Sequence, residues 1–510
     1  MIEAPQLRLE ALAPFAFVAI GSLVVLMGEV LLSRSEAMRS APSANVRVGA
    51  ILSFVSAVFL LLALVVAAQG YMANTAWSFN LDNPMMRLDR FANFAIGVVC
   101  TAGILVCALS ADYLNGMRIH HGEYYALLLL AVAGMILMVS AVDMMLVFLG
   151  LELMSIPLYV LAGFDRRKLR SNESALKYFI IGAFASAVML YGMALLYGAT
   201  GATGFEGIRA GFDAGSSLGV VGLGLLVVGF AFKISSVPFH QWTPDVYEGA
   251  PTSVTAFMAV TVKVAAFMAL LRVLASAFQG TTPSLEAILW VMAAATMVVG
   301  NVMAVIQDNV KRMLAYSSVS HAGYMLIGLV SGTLQADAAL LFYLFVYVFM
   351  TLGAFAVIVV LAHRGKDAER FDDFAGLGQQ RPALAALMVL FMLSLAGIPG
   401  TGGFIAKFNL FAAAVQADQV PLVILAVVTS LISVFYYLRL PVVMFMREPS
   451  DEPIRMATSS GEGFALLVCA AMVLVLGFFP SEGPGFLLLD HLRVLHWAHD
   501  SVALLGTLVE

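Results

Sequence analysis

"GLGLLVVGFAFKISSVPFHQW", residues 222–242, decides how the rest of the chain is read. Its first half is an apolar run of the kind that crosses a bilayer. Lys233, two serines, Pro238 and His240 then follow with no charged partner in the run. A proline inside a helix removes a backbone hydrogen bond and clashes with the preceding turn. Irregular backbone at membrane depth survives only where protein or a watered cavity satisfies it. The stretch therefore predicts a spanning helix that halts near its middle, sheltered by other helices.

The remainder of the chain supplies that shelter. Of its 510 residues 61% are hydrophobic and 12% charged, and the mean hydropathy is +0.95. Soluble domains carry about 25% charged residues, and a spanning helix needs ~20 mostly apolar residues. About fourteen such runs are present, centred roughly at 22, 58, 102, 131, 152, 187, 227, 265, 296, 322, 350, 392, 432 and 472. The loops between them are too short to bury a core of their own. The expected fold is an all-α polytopic membrane protein. Its first run follows a single basic residue, Arg8, and lacks an A-x-A site, so it reads as an anchor rather than a cleaved signal.

Several chemistries are disfavoured. Cys100, Cys107 and Cys469 lie inside apolar runs with no CxxC pair, which argues against an iron–sulfur cluster or zinc. No G-x-G-x-x-G follows a strand, so no NAD or flavin site is expected in this chain. His240 and His321 alone among eight histidines lie near membrane depth, too few for a haem reading. Neither metal, cofactor nor nucleic acid is expected to bind here. Placing alternate loops on one side, beginning with residues 33–47, gathers 17 of the 27 Lys and Arg; 6 fall opposite, and Lys233, Lys263, Lys407 and Arg439 stay inside spans. The positive-inside rule puts the rich loops in the cytoplasm and both termini outside.

A charge at the bilayer centre costs ~2.5–3.5 kcal/mol on insertion scales. Lysines near helix ends avoid this by snorkelling, and Arg439 can do so. Lys263 and Lys407 lie too centrally for that, and Lys233 is caught by the break at Pro238. Glu152, in "GLELMSIPLYVL" (150–161), is their acidic counterpart, expected to pair with one of the lysines. An ammonium held in hydrocarbon without compensation is driven towards its neutral form, whereas a nearby carboxylate holds the proton on. A movable Glu–Lys pair is thus a switch between proton-bound and proton-free states.

A second interruption, "LAGIPGTGGF" (395–404) with Gly397, Pro399 and Gly400, falls five spans after the first. Paired interrupted helices in matching halves point to a transporter built from inverted repeats. The expected organisation is 1–115 for spans one to three, 123–278 for a first five-helix repeat (spans four to eight), 284–447 for a second (spans nine to thirteen), and 460–510 for span fourteen and a tail. The broken helices, seven and twelve, lie near 232–250 and 396–403. The tail, 483–510, reads as an interfacial amphipathic helix.

"GLELMSIPLYVL", "FKISSVPFHQWTPDVYEGAPTSVTAF" (232–257), "QDNVKRMLAYSSVSHAGYMLIG" (307–328) and "LSLAGIPGTGGFIAKF" (393–408) together resemble the antiporter-like membrane subunits of proton-pumping NADH:quinone oxidoreductase, respiratory complex I. The resemblance covers spans four to thirteen. "PDVYEGAPT" and Lys407, where the M-type sister subunit usually has Glu, point to one branch of that family. It implies proton translocation across a bacterial inner membrane, with FMN, iron–sulfur clusters and quinone in partner subunits. Neighbours would include subunit M, small subunits such as K and J, and lipids. It implies Glu152 and Lys233 as a modulating pair, Lys263 as central relay and Lys407 as the site towards the outer exit. His321 would bridge the two half-channels, and His240 is a weaker connecting candidate. Mrp-type cation/proton antiporter subunits share the fold and most of these residues, although "VYEGAPT" argues against them. A fourteen-span solute transporter of the major facilitator type would carry a basic G-x-x-x-D-R loop between spans two and three. Residues 70–90 show none.

Overall fold

The computed structural model describes residues 8–34, 44–80, 84–119, 122–278, 283–362, 365–449, 458–478 and 494–506. Among them twelve helices are long and apolar enough to cross a membrane, and two shorter apolar helices accompany them. The first three spans are α1 (Ala13–Arg34), α2 (Ala44–Met72) and α3 (Arg90–Met117). A two-residue antiparallel ribbon, β1 (Trp77–Ser78) with β2 (Arg87–Leu88), joins α2 to α3. Asp89 then caps α3 by accepting from Ala92 N.

The first repeat consists of α4 (Glu123–Ser140), α5 (Met144–Ala162) and α6 (Leu169–Thr200), then a short surface helix, α7 (Phe205–Gly211). Its seventh span is split into α8 (Ser217–Lys233) and α9 (Trp242–Gly249). The eighth, α10 (Thr252–Ala277), contains a π-helical stretch over Met258–Val262, ending immediately before Lys263. The second repeat runs α11 (Pro283–Val305), α12 (Val310–Ser331) and α13 (Leu334–Leu361). Its broken twelfth span is α14 (Pro382–Ala396) with α15 (Gly402–Gln416), followed by α16 (Val420–Met446). α17 (Ser460–Phe478) is the fourteenth span.

The two repeats open on the same packing device. α4 meets α5, and α11 meets α12, through glycines that let the backbones touch. A Cβ on Gly134 would lie 2.3 Å from Met154 N, and one on Gly150 2.6 Å from Met138 N. On Gly300 it would lie 2.6 Å from Ser320 N, and on Gly323 2.7 Å from Met297 N. Without a hydrophobic force between helices in lipid, such close approach is what gives helix association its van der Waals energy.

Burial separates the spans by role. The most apolar windows of α10 and α12 are wholly enclosed by protein (100%), against 22% for α1 and 33% for α16. The enclosed spans are also the ones that carry Lys263 and His321. A lipid-facing helix could not bear those groups, so the sequence concentrates its polar atoms where other helices close around them.

Ion pairs join loops assigned to the same face. On one side Arg170 meets Glu248 at 3.4 Å, Lys177 meets Asp245 at 2.9 Å, Arg312 meets Glu248 at 3.0 Å and Lys311 meets Glu369 at 3.6 Å. On the other, Arg272 and Asp89 form a fully buried pair at 2.6 Å, and Arg87 lies 3.6 Å from Glu206. Arg439, near the end of its span, reaches Asp308 at 2.7 Å. Asp143 caps α5 by accepting from Met145 N. In the tail, α18 (Val494–Gly506) buries Val494, Ala498, Val502 and Leu505 against the bundle formed by α3 and α13. Residues 35–43 of the first basic loop, 479–493 of the tail, Arg364 and Arg455 lie outside the described residues.

Candidate functional site

The break in the seventh span is built from residues 234–241. α8 ends at Lys233, and Ser236 N donates to Ala231 O at 2.9 Å, closing the last turn. Ser235 takes a left-handed φ of 62°, unusual without glycine. Beyond Pro238, Trp242 restarts the chain as α9 and its Nε1 donates back to Phe232 O at 3.1 Å. Val237 N donates to Thr296 Oγ1 of α11 at 2.9 Å, so the second repeat satisfies a backbone donor that the break releases. His240 is half-buried, and its Nδ1 has no hydrogen-bond partner among the described residues.

Lys233 is 2% exposed. Its Nζ donates to Ser155 Oγ at 2.7 Å and lies 5.4–5.6 Å from the ring centroids of Phe232, Tyr159 and Tyr178. Ring faces attract an ammonium by their quadrupoles. Glu152 sits one turn before Ser155 on α5. It does not form an ion pair with Lys233, because the amine rests on the nearer hydroxyl. Glu152 Oε1 is instead buried without a hydrogen-bond partner, as are the hydroxyls of Tyr159 and Tyr178. A buried carboxylate oxygen without a protein partner is costly.

Lys263 is 1% exposed. Its Nζ donates to Ser318 O and, at 2.5 Å, to Ser318 Oγ on α12. Tyr347 OH of α13 donates to the same Oγ at 2.9 Å. One turn along α12, His321 is clasped by two tyrosines, Nδ1 to Tyr343 OH at 2.7 Å and Nε2 to Tyr437 OH at 3.1 Å. Ser317 Oγ also bonds Tyr437 OH. Beside it runs a separate chain, in which Tyr436 OH donates to Asn301 Oδ1 at 3.0 Å and Asn301 Nδ2 to Tyr324 OH at 3.1 Å. Between Tyr347 and His321 the rings pack with centroids 5.5 Å apart rather than sharing a hydrogen bond.

At the second break, Gly397 and Gly400 take φ of 83° and 88°, which glycine adopts without the Cβ penalty. A Cβ on Gly397 would also lie 2.9 Å from Lys407 Cδ. Pro399 occupies the turn between them. α14 ends there with its last carbonyls released, and Lys407 Nζ takes two of them, Leu395 O at 3.1 Å and Ala396 O at 3.0 Å, plus Ser430 Oγ at 2.9 Å. The C-terminus of a helix carries a partial negative charge, so the half-helix itself receives the ammonium. The amine lies 4.9 Å from the centroid of Tyr324. The structure thus brings Lys263, His321 and Lys407 into one polar interior. No side-chain hydrogen bond among the described residues links that interior to Lys233.

The family described as "NADH:quinone oxidoreductase/Mrp antiporter, TM" matches residues 141–433. A NADH-quinone oxidoreductase subunit N from Trichlorobacter lovleyi is 46% identical over 82% of this chain and 87% of its own length. The chain belongs to the subunit N family of NADH-quinone oxidoreductase. Respiratory complex I from Thermus thermophilus, solved with bound aureothin, contains a chain that superposes with a TM-score of 0.77 at 34% identity, covering 92% of this chain and 98% of that one. The Mrp complex from Dietzia sp. superposes with a TM-score of 0.83 over 98% of each chain, but at 22% identity, a likeness of fold.

Within this subunit N relative, the reading of the sequence missed the hydroxyls. Ser155, Ser318, Tyr343, Tyr347, Tyr437 and Ser430 all touch a lysine, its acceptor or His321. A signal for one of them was present. In "YSSVSHAGY" Ser318 and His321 fall at i and i+3, on one polar face of a helix with no water-facing side. A hydroxyl both donates and accepts, as does a neutral imidazole, whereas an ammonium only donates. The set therefore alternates proton holders with groups that can pass a proton on. Among the described residues no three His, Cys, Asp or Glu side chains gather so as to hold a metal ion.

Proposed function

We propose that this chain moves protons across the membrane through Lys263, His321 and Lys407, with Glu152 and Lys233 biasing the first step. The observation that carries this reading is the setting of Lys263 and Lys407. Both amines are buried, and among the described residues both are held by hydroxyls and backbone carbonyls alone, with no carboxylate in ion-pair contact. A structural ion pair would supply a counter-charge, whereas a relay needs an amine free to discharge. Water bridging two steps, Tyr347 to His321 and His321 to Lys407, would complete the link between the amines, since contacts beyond hydrogen-bond reach in polar interiors are commonly water-mediated.

Membership of the subunit N family supports placing the chain in NADH:quinone oxidoreductase, beside an antiporter-like subunit M and small subunits such as K and J. Electrons would then move in partners holding FMN, iron–sulfur clusters and quinone, while this chain carries protons alone. A bacterial inner membrane, with both termini on the outer side, fits the distribution of basic loops. The test is Lys263→Ala in the assembled complex, with proton uptake into vesicles followed alongside quinone reduction. Proton transfer by a positioned side chain contributes ~10²–10⁴-fold, so uptake is expected to fall to background while the complex still assembles. Undiminished uptake would sink the proposal.

A further inference from the structure

A groove on the outer wall of the first repeat takes no part in the relay. It lies between α1, α4 and α5 and has a volume of about 390 Å3. Small residues, Ser22, Ala126 and Gly163, cut back its floor, and Ser22 Oγ donates to Ala126 O at 2.9 Å to fix α1 against α4. Leu23, Leu26, Leu127 and Leu130 form the walls. The mouth differs in kind. There Glu123, in the first turn of α4, and Arg166, in the loop after α5, line the same opening. Both are exposed, and neither forms an ion pair with the other or with another described residue. The adjacent Arg167, by contrast, is paired with Asp165 at 3.1 Å.

We propose that this groove binds a phospholipid with a primary-amine headgroup. Its phosphate lies on Arg166, its ammonium on Glu123, and one acyl chain fills the space between the helices. Leu130 is two turns below Glu123, about 10 Å along the axis at ~1.5 Å per residue. The groove therefore ends within the ~15 Å depth of one leaflet of a ~30 Å hydrocarbon core. A neighbouring spanning helix would need a furrow running the whole depth, whereas a single acyl chain needs only this much. Basic rims on clefts between membrane helices recognise lipid phosphates. The carboxylate beside this one adds a second demand. A purely anionic headgroup would face Glu123 with like charge, and a choline headgroup offers no N–H for it to accept.

The experiment uses the intact membrane complex, washed in detergent and returned to nanodiscs of phosphatidylethanolamine, phosphatidylglycerol or phosphatidylcholine. Retained lipid is counted by native mass spectrometry, and a photo-crosslinking residue at Leu127 reports what occupies the groove. The wild type is expected to keep phosphatidylethanolamine in preference to the other two and to crosslink to it. Arg166→Gln and Glu123→Gln should each lower retention about tenfold, the effect of losing one charge-assisted hydrogen bond, with quinone reduction unchanged. Equal retention in the variants, a preference for phosphatidylglycerol or phosphatidylcholine, or a crosslink from Leu127 to another polypeptide would overturn the assignment. If a variant fails to assemble, competition among the three lipids on the wild-type complex decides it alone.

Discussion

At the first break Lys233 closes its own half-helix and leans on a side chain, Ser155, within a ring of aromatic faces. At the second break Lys407 belongs to the half-helix that follows, and it leans on two carbonyls that the preceding half-helix has released. The sequences share a proline, small residues and a lysine, but the amines are held by different means. Side-chain partners can be deleted one at a time. Helix-end carbonyls belong to the backbone and persist through any substitution that keeps the break. The Lys233 corner also has an acidic neighbour with a buried, unpartnered oxygen, and among the described residues no carboxylate contacts Lys407. In the proposed path the first site is therefore the adjustable one, and the second a fixed receptor for a proton.

That contrast can be broken by substitution. Glu152→Gln removes the charge that can reach Lys233 and leaves Lys407 untouched; proton uptake is expected to fall about tenfold, since charge-assisted contacts are worth ~1.5–3 kcal/mol. Wild-type uptake in this variant would remove Glu152 from the mechanism. At His321 the two clasping tyrosines give a smaller effect. Tyr343→Phe and Tyr437→Phe should each slow uptake several-fold, as loss of a ~1 kcal/mol hydrogen bond does, and the double variant more than either. The finest discrimination comes from the serines. Ser155→Ala removes the one hydrogen-bond acceptor that Lys233 has among the described residues, whereas Ser430→Ala leaves Lys407 its two carbonyls. Uptake should drop about threefold in the first and stay within error in the second. The reverse order would show that the two breaks had been assigned the wrong way round.

The architecture was legible because a bilayer enforces it. Runs of apolar residues, two interruptions five spans apart and lysines out of place are one-dimensional signals. Among the described residues twelve helices are long and apolar enough to cross a membrane, and the two shorter apolar helices end at the breaks, 234–241 and 397–401. What holds the lysines was not legible. Ser155 is 78 positions from Lys233, Ser318 is 55 from Lys263, and Tyr437 is 116 from His321. No local spacing encodes such meetings, since they follow from which helices surround which. Glu152 illustrates the limit. Its charge suggested a bonded pair, but a hydroxyl one turn away on the same helix takes the amine instead. The π-helical stretch before Lys263 also left no mark in the hydropathy pattern.

Lys407→Arg tests most directly whether the buried amines work by releasing protons. Arginine keeps the charge and can still donate to Leu395 O, Ala396 O and Ser430, but a guanidinium does not deprotonate in proteins. Proton uptake per quinone reduced, measured in vesicles bearing the assembled complex, should collapse in this variant although assembly and the fixed positive charge are retained. Uptake equal to the wild type would mean that Lys407 is a structural cation, and the proton path would have to be sought elsewhere.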